Sequence, residues 1–444
     1  MTSRRHSRIG PASPRKIFRE RVRLNDFNME TTTEKLAIGA EKKMETKPAT
    51  HKLLHLDSLR GLAAFAVVCG HLLLSFYPGL PGLTSASDPP TGIVGLLRLN
   101  SLVMGRLPVM VFFVLSGFVL SYSFFINGRA SSLTSAATRR YFRLAVPVLT
   151  SLLFVFLLIK VHAMHQAEAS ALRDVPPKTA EHNEGWLTRY YVPNVSLKQT
   201  IRQALFETFF AYDEDKSLNS ALWTMSIELQ GSFLVYASLA LFGGLKQRWL
   251  ILGAIALMLF MRGEMFLECF MAGMALATLY AKRRGAALVP IWLAVPALLA
   301  GIFFGAQTEA LHMRGIPSFF RGADVWVSFG AILIVASVVF SAVIKRILEL
   351  QPIHFLGRIS FSLYLIHLPL IYSLGCFVFW KTRAHGMEPF PAFGWASAAT
   401  IISSLLLSAL MTIYIDEPAM ALVKRLYDKY LQPFTGSASK KASP

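Results

Sequence analysis

The fold class predicted for this chain is all-α, a polytopic membrane bundle of about ten transmembrane helices. Three observations carry that expectation. The chain has 444 residues, of which 54% are hydrophobic and only 16% charged, where soluble domains carry about 25% charge. Its mean hydropathy is +0.47. Its apolar residues fall in long runs, as membrane spans do, and its basic residues sit in short clusters between those runs.

Residues 1–52 are polar and hold 13 Lys/Arg against 6 Asp/Glu, an excess of seven. No apolar stretch follows a short basic start, so this segment reads as a basic, disordered cytosolic tail and not as a cleaved signal. Ten candidate spans follow, at roughly 57–77, 107–126, 144–163, 219–241, 249–261, 264–281, 288–306, 324–343, 359–380 and 396–418. They place a membrane domain over 53–420 and a short cytosolic tail over 421–444. With the N-terminus in the cytosol, the cytosolic loops are 127–143, 242–248, 282–287 and 344–358. Each carries Lys or Arg (Arg129, Arg139, Arg140 and Arg143; Lys246 and Arg248; Lys282 to Arg284; Lys345, Arg346 and Arg358), as the positive-inside rule demands. An even number of spans returns the C-terminus to the same side. The segment 164–218 is then a long non-cytosolic loop with Trp186, Tyr190, Tyr191 and Tyr212, aromatics that suit a membrane interface or a sugar-stacking platform. Segment 79–106 reads as a re-entrant or surface element.

The net charge of +19 raises nucleic-acid binding as a function class. The placement of the basic residues at span ends argues against it, so no nucleic-acid partner is expected. Cys69, Cys269 and Cys376 all lie inside apolar runs, which points to packing and excludes both a disulfide framework and a CxxC metal site.

Ionisable residues inside spans are the functional candidates, because charge in lipid is costly. Arg60 and His71 are eleven residues apart in the first span, about 20° past three full turns, with a rise of about 16 Å. They share a helix face, with Arg60 near the cytosolic mouth and His71 near the midplane. Ser116 and Gly117 interrupt the bulky second span, where small residues allow close approach of a helix or substrate. Arg140 and Arg143 neighbour each other at the start of the third span, either as an anchoring charge pair or as a forked clamp for phosphates. Glu228 lies roughly 13 Å into the fourth span, a depth similar to that of His71, where it could orient an imidazole. Trp223 reads as an interface anchor. His367, just before Pro369 in the ninth span, either lines a cavity or satisfies a proline kink. Asp416 and Glu417 end the tenth span level with Arg60 and suit an ion pair.

The motifs LDSLRGLAAFAVVCGH, VFFVLSGFVLS, the Arg-x-x-Arg of Arg140 and Arg143, LWTMSIELQ and SFSLYLIHLPL occur in this order over about 57–420. Together they resemble the acyltransferase-3 family of integral membrane proteins. The resemblance implies transfer of an acetyl or other short acyl group from cytosolic acyl-CoA, as donor substrate, to a hydroxyl of a carbohydrate, lipid or small molecule. It maps the family's Arg…His pair onto Arg60 and His71, its Arg-x-x-Arg onto Arg140 and Arg143, and its Trp-x-x-Ser-x-Glu onto Trp223, Ser226 and Glu228. One departure follows Glu228, where the family often has Gln-Phe-Tyr and this chain has Gln230, Gly231 and Ser232. The smaller residues are expected to widen that helix face and to bear on acceptor identity.

The expected site therefore has His71 as general base, Glu228 orienting it and Arg60 stabilising negative charge. Arg140 and Arg143 hold the CoA phosphates, while Ser116, Trp223, Ser226 and His367 are possible cavity-lining residues. No metal and no bound cofactor are expected. An acyl-His71 intermediate is a second route. The competing class is a proton-coupled secondary transporter using the same midplane His, Glu and Arg residues, although the paired broken helices of inverted repeats are not evident.

Overall fold

The structure is a computed structural model, and it describes residues 53–77, 106–128, 130–173, 187, 194–283, 289–306 and 322–431. The basic tail, the segment 79–105, Trp186, Tyr190 and Tyr191 lie outside the described residues. Among the described residues there is no strand. The long helices are α1 (Leu54–Phe76), α2 (Leu107–Asn127) and α3 (Ala130–Lys160). Two short helices follow, α4 (Gln166–Ala171) and α5 (Leu197–Arg202), and then α6 (Trp223–Phe242), α7 (Arg248–Met261) and α8 (Met265–Lys282). The chain continues with α9 (Ile291–Gly305), α10 (Ala323–Phe340), α11 (Ala342–Leu348) and α12 (Gln351–Leu370). It ends with α13 (Cys376–Ala384), α14 (Pro389–Met411) and α15 (Glu417–Leu426).

Eight of the ten expected spans coincide with helices long and apolar enough to cross a membrane. The other two coincide with the shorter apolar helices α7 and α9. The protein is therefore a multi-pass, all-helical membrane protein. Two expectations shift. The third span begins at Ala130 and not near 144, so Arg140 and Arg143 lie inside α3 and not in a loop before it. Residues 130–143 contain no Gly or Pro and hold three Ala and three Arg, which favour a helix. The turn is made earlier, by Gly128 in the left-handed conformation (φ +64°), the usual glycine stop at a helix C-terminus. The segment 164–218 is also partly helical, with α5 running on through a π-turn at Gln203–Glu207 to Phe210.

Two apolar clusters form the interior. One gathers around α2, α8 and α10, through residues such as Phe113, Phe118, Phe270 and Val335. The other gathers around α1, α3, α12 and α14, through Val68, Leu152, Leu363 and Met411. Phe112 packs against both, and the site lies along this seam.

Glycines bring the key helices together. A Cβ on Gly61 would stand 2.3 Å from the backbone nitrogen of Gly357, so α1 and α12 touch backbone to backbone. His71 and His367 lie ten residues beyond these two glycines, about 15 Å along each helix, and they also touch. The two helices are therefore parallel and in register over that length. A Cβ on Gly117 would likewise stand 2.0 Å from the carbonyl oxygen of Phe270, which makes packing of α2 on α8 the use of that small residue.

Candidate active site

Two cavities border the polar residues of the seam. The first, of about 130 Å³, is walled by Arg60, Arg140, Arg143, Ser116, Glu228 and Asp416, with Phe112, Phe113, Leu144 and Tyr364 among its apolar lining. The second, of about 290 Å³, is bordered by His71, Arg106, Glu214, Ser220, Trp223 and Phe266. Arg60 and His71 share a face of α1 as expected, and the rise between them sets one in each cavity. A thin polar layer lies between the two walls. The Tyr364 hydroxyl donates to the carbonyl of Ala221 at 2.9 Å and lies 3.0 Å from the Thr224 hydroxyl. Tyr364 and Thr224 border the first cavity and Ala221 the second.

In the arginine cavity the structure redistributes the expected partners. Glu228 does not meet His71. Its carboxylate accepts from the Arg140 guanidinium and, at 2.7 Å, from the Ser116 hydroxyl. Arg140 also donates from Nε to Ser232 at 2.7 Å. Arg140 is buried and Glu228 largely so, and a carboxylate shut away from water without a counter-charge costs several kcal/mol, so the nearest guanidinium claims it. Depth along a helix was the basis for pairing Glu228 with His71, and depth says nothing of rotation about the helix axis. Ser232, which was expected to open this face, instead receives Arg140. The position of Gly231 is filled by the Phe270 ring, which a Cβ there would meet at 2.3 Å.

Arg143 differs from Arg140. It faces the same cavity, yet among the described residues it forms no ion pair or side-chain hydrogen bond. Arg60 has Asp57 at 3.6 Å. Of the three guanidiniums, Arg143 is thus the one without a hydrogen-bonded or ion-paired partner among the described residues, and the Asp416 carboxylate that borders the same cavity attracts it. Asp416 borders this cavity, whereas Glu417 holds Arg358 in a bidentate pair at 2.8 and 2.9 Å, the ion pair expected near the end of the tenth span.

At the second cavity His71 contacts His367, with Nδ1 to Nε2 at 2.8 Å. His367 is fully buried and borders neither cavity; it stands behind His71. The carbonyl freed by Pro369 is satisfied by other groups. Proline removes the amide that would bond the Leu365 carbonyl, and that carbonyl accepts instead from Ser151 Oγ at 2.9 Å and Asn219 Nδ2 at 2.8 Å. The helix continues through a π-turn at Ile371–Gly375. Trp223 borders the His71 cavity and packs on Phe266 with ring centroids 5.4 Å apart. Ser226 borders neither cavity, and its hydroxyl donates to the Trp223 carbonyl at 3.2 Å. Near the mouth, the Lys216 ammonium donates to Asp213 at 2.6 Å and holds that carboxyl below its ordinary range.

The sequence reading passed over Tyr364, Thr224, Arg106 and Phe266. A signal for Tyr364 was present, since it lies three residues before His367 and so on a neighbouring position of one helix surface. Arg106 sits outside the expected second span and becomes visible only through its ion pair with Asp324 and its approach to the Phe266 ring.

Comparison with known proteins gives these residues a setting. Acyltransferase R4 of Phoma sp. is 24% identical over 448 residues, spanning 84% of this chain and 95% of that protein. Acyltransferase clz18 of Cochliobolus lunatus is 24% identical over 460 residues, spanning 86% and 96%. O-acetyltransferase PaAT-1 of Phomopsis amygdali is 25% identical over 422 residues, spanning 82% and 81%. No solved structure matches the chain. The sequence model of the family described as an acyltransferase domain matches residues 53–409, which takes in Arg60, His71, both arginines of α3, Glu228 and His367. The multi-pass bundle and its motif residues thus have one source, and the chain belongs to the acyltransferase-3 family.

Proposed function

We propose that this acyltransferase moves a short acyl group, acetyl in the simplest case, from acyl-CoA to a hydroxyl of a carbohydrate, lipid or small-molecule acceptor, using no bound cofactor. The observation that carries this reading is the pair of cavities, one lined by arginines and the other bordered by His71, whose linings are joined by the hydrogen bonds of Tyr364 with Ala221 and Thr224.

The arginine cavity suits the donor. Its volume, about 130 Å³, is below the ~300 Å³ at which small-ligand pockets begin, so the nucleotide rests at the mouth and only the narrow thioester arm enters. Arg143 takes a phosphate through charge-assisted hydrogen bonds, with Arg60 beside it. The thioester reaches the Tyr364–Thr224 layer, whose net worth of about 1 kcal/mol per hydrogen bond makes it easy to part. The acceptor occupies the second cavity. As its hydroxyl oxygen attacks the thioester carbonyl, His71 takes the hydroxyl proton. The carbon–sulfur bond breaks, and the CoA thiolate recovers that proton from His71. The products are the acyl ester and free CoA.

On this reading the Arg140–Glu228 pair shapes the cavity wall and does not touch the reacting atoms. Family membership favours transfer over the proton-coupled transporter reading, which would use the same buried His, Glu and Arg residues.

The test is transfer from acetyl-CoA by protein purified in detergent, wild type beside His71→Ala, over a panel of sugar and small-molecule acceptors. Turnover by wild type and a loss of at least about 100-fold in a folded His71→Ala variant is the expected result, since general-base catalysis contributes about 10² to 10⁴. Full turnover by folded His71→Ala would remove His71 from the chemistry.

A further inference from the structure

His367 makes contacts that a merely space-filling histidine does not need, and their chemistry leaves one consistent arrangement of protons. The rings of His71 and His367 lie within 3° of parallel with centroids 5.1 Å apart. With the nearest nitrogens at 2.8 Å, the contact is edge to edge in the ring plane, along the direction in which an imidazole lone pair points. The other ring nitrogen of His367, Nδ1, lies 2.8 Å from the Tyr364 carbonyl oxygen and 3.2 Å from that of Leu363. A carbonyl only accepts, so Nδ1 of His367 carries a hydrogen.

His367 is fully buried, and among the described residues no carboxylate pairs with it. A buried cation without a counter-charge is strongly disfavoured, so the ring is neutral. Its Nε2 is then the acceptor, and Nδ1 of His71 is the donor. In the neutral form of His71, the form a base needs, that leaves Nε2 as the unprotonated nitrogen of its ring. The opposite tautomer of His71 would set two lone pairs against each other at 2.8 Å.

We infer that His367 is a positioning residue which fixes the tautomer of His71, so that Nε2 is the basic nitrogen, and which accepts from Nδ1 as the imidazolium forms. The inference rests on the reading of His71 as the base. It gives His367 the place that a carboxylate or amide holds in a hydrolytic triad. The anchor here is a main-chain carbonyl, itself held because Tyr364 is one turn away on the same helix. The parallel register of α1 and α12, set by Gly61 against Gly357, delivers the two rings to each other.

Two substitutions separate this role from packing. The amide end of glutamine overlies imidazole Nε2, and that of asparagine overlies Nδ1. In full-length protein, His367→Gln keeps an acceptor for His71, whereas His367→Asn keeps the Tyr364 contact and removes the acceptor. With acetyl-CoA as donor, the expected kcat of His367→Gln is within about tenfold of wild type, and that of His367→Asn falls by about 10² to 10⁴, the range of general-base assistance. KM for acetyl-CoA stays unchanged in both. Equal losses in the two folded variants, or full kcat in His367→Asn, would overturn the proposal. His71→Ala run in parallel distinguishes the failures. Full turnover there sinks the base itself, while a dead His71→Ala beside a fully active His367→Asn sinks only the positioning role. If the variants do not fold, ¹⁵N spectra of histidine-labelled wild type decide: an unprotonated Nε2 on His71 is expected, and a protonated Nε2 with unprotonated Nδ1 overturns it.

Discussion

Arg140 and Arg143 are three residues apart and chemically identical, yet their surroundings give them different work. Arg140 is held by Glu228 and Ser232, and Arg143 forms no side-chain hydrogen bond or ion pair among the described residues, with only the Asp416 carboxylate attracting it in the same cavity. Their alanine variants should therefore fail differently. Arg140→Ala leaves the largely buried Glu228 without its counter-charge, and breaking a fully buried pair costs about 3–5 kcal/mol. A thermal-unfolding midpoint well below wild type is expected, and an unchanged midpoint would show that Glu228 finds another partner. Arg143→Ala should unfold like wild type and weaken acetyl-CoA binding by about tenfold or more, the loss of one charge-assisted hydrogen bond of about 1.5–3 kcal/mol. Binding measured by titration calorimetry checks this. Wild-type affinity in Arg143→Ala would move the phosphate site elsewhere. The Arg-x-x-Arg spacing was legible in the sequence, but the division of labour was not, because Ser232 and Glu228 lie on a different helix.

At the scale of elements, the site depends on how closely α1 and α12 approach. Gly61 has no room for a side chain, since even a Cβ would stand 2.3 Å from the Gly357 nitrogen. Gly61→Leu must push the helices apart, and overpacking of this kind costs about 1–3 kcal/mol. The displacement would carry along α1 to His71, ten residues away, and stretch its bond to His367. Misplacement by about 1 Å can cost 10² in rate. We expect kcat to fall by about that factor while acetyl-CoA still binds at Arg143, measured by steady-state kinetics beside calorimetry. Undiminished kcat would mean that the register of α1 on α12 does not govern the chemistry. The break at Pro369 works in the other direction. It removes one helix bond and is offset by Ser151 and Asn219, which tie α12 to α3 and to the turn before α6. A local defect thereby becomes a tertiary link close to His367.

For the whole molecule, the two cavities differ in chemistry, and the α1 residues that border them, Arg60 and His71, lie about 16 Å apart by helix rise. The arginine cavity lies toward the end of the bundle where the short basic loops of the sequence fall. On the proposed reading, in which the positive-inside rule makes that end cytosolic, the donor would enter there. In sealed proteoliposomes whose orientation is read by protease cleavage of an N-terminal tag, acetyl-CoA should support transfer only when supplied on the side of the N-terminus. Equal rates from either side, or transfer only from the opposite side, would contradict this entry route.

The placement of the apolar helices, and the charged and imidazole side chains within them, could be read from the chain directly, whereas the lining residues Tyr364, Thr224 and Arg106 could not. Hydropathy, span length and the costliness of charge in lipid are local properties, and they mark Arg60, His71, Arg140, Arg143, Glu228 and His367 without reference to any neighbour. What they cannot mark is which of these residues meet. Glu228 was placed beside His71 because the two lie at one depth, but α6 turns that carboxylate toward α3, where Arg140 neutralises it. His367, a candidate only for a cavity or a kink, reaches His71 from 296 residues away in sequence. That encounter depends on the rotation of each helix about its axis and on the close approach of Gly61 and Gly357. Both are settled by packing between helices distant along the chain, and only the tertiary structure contains them.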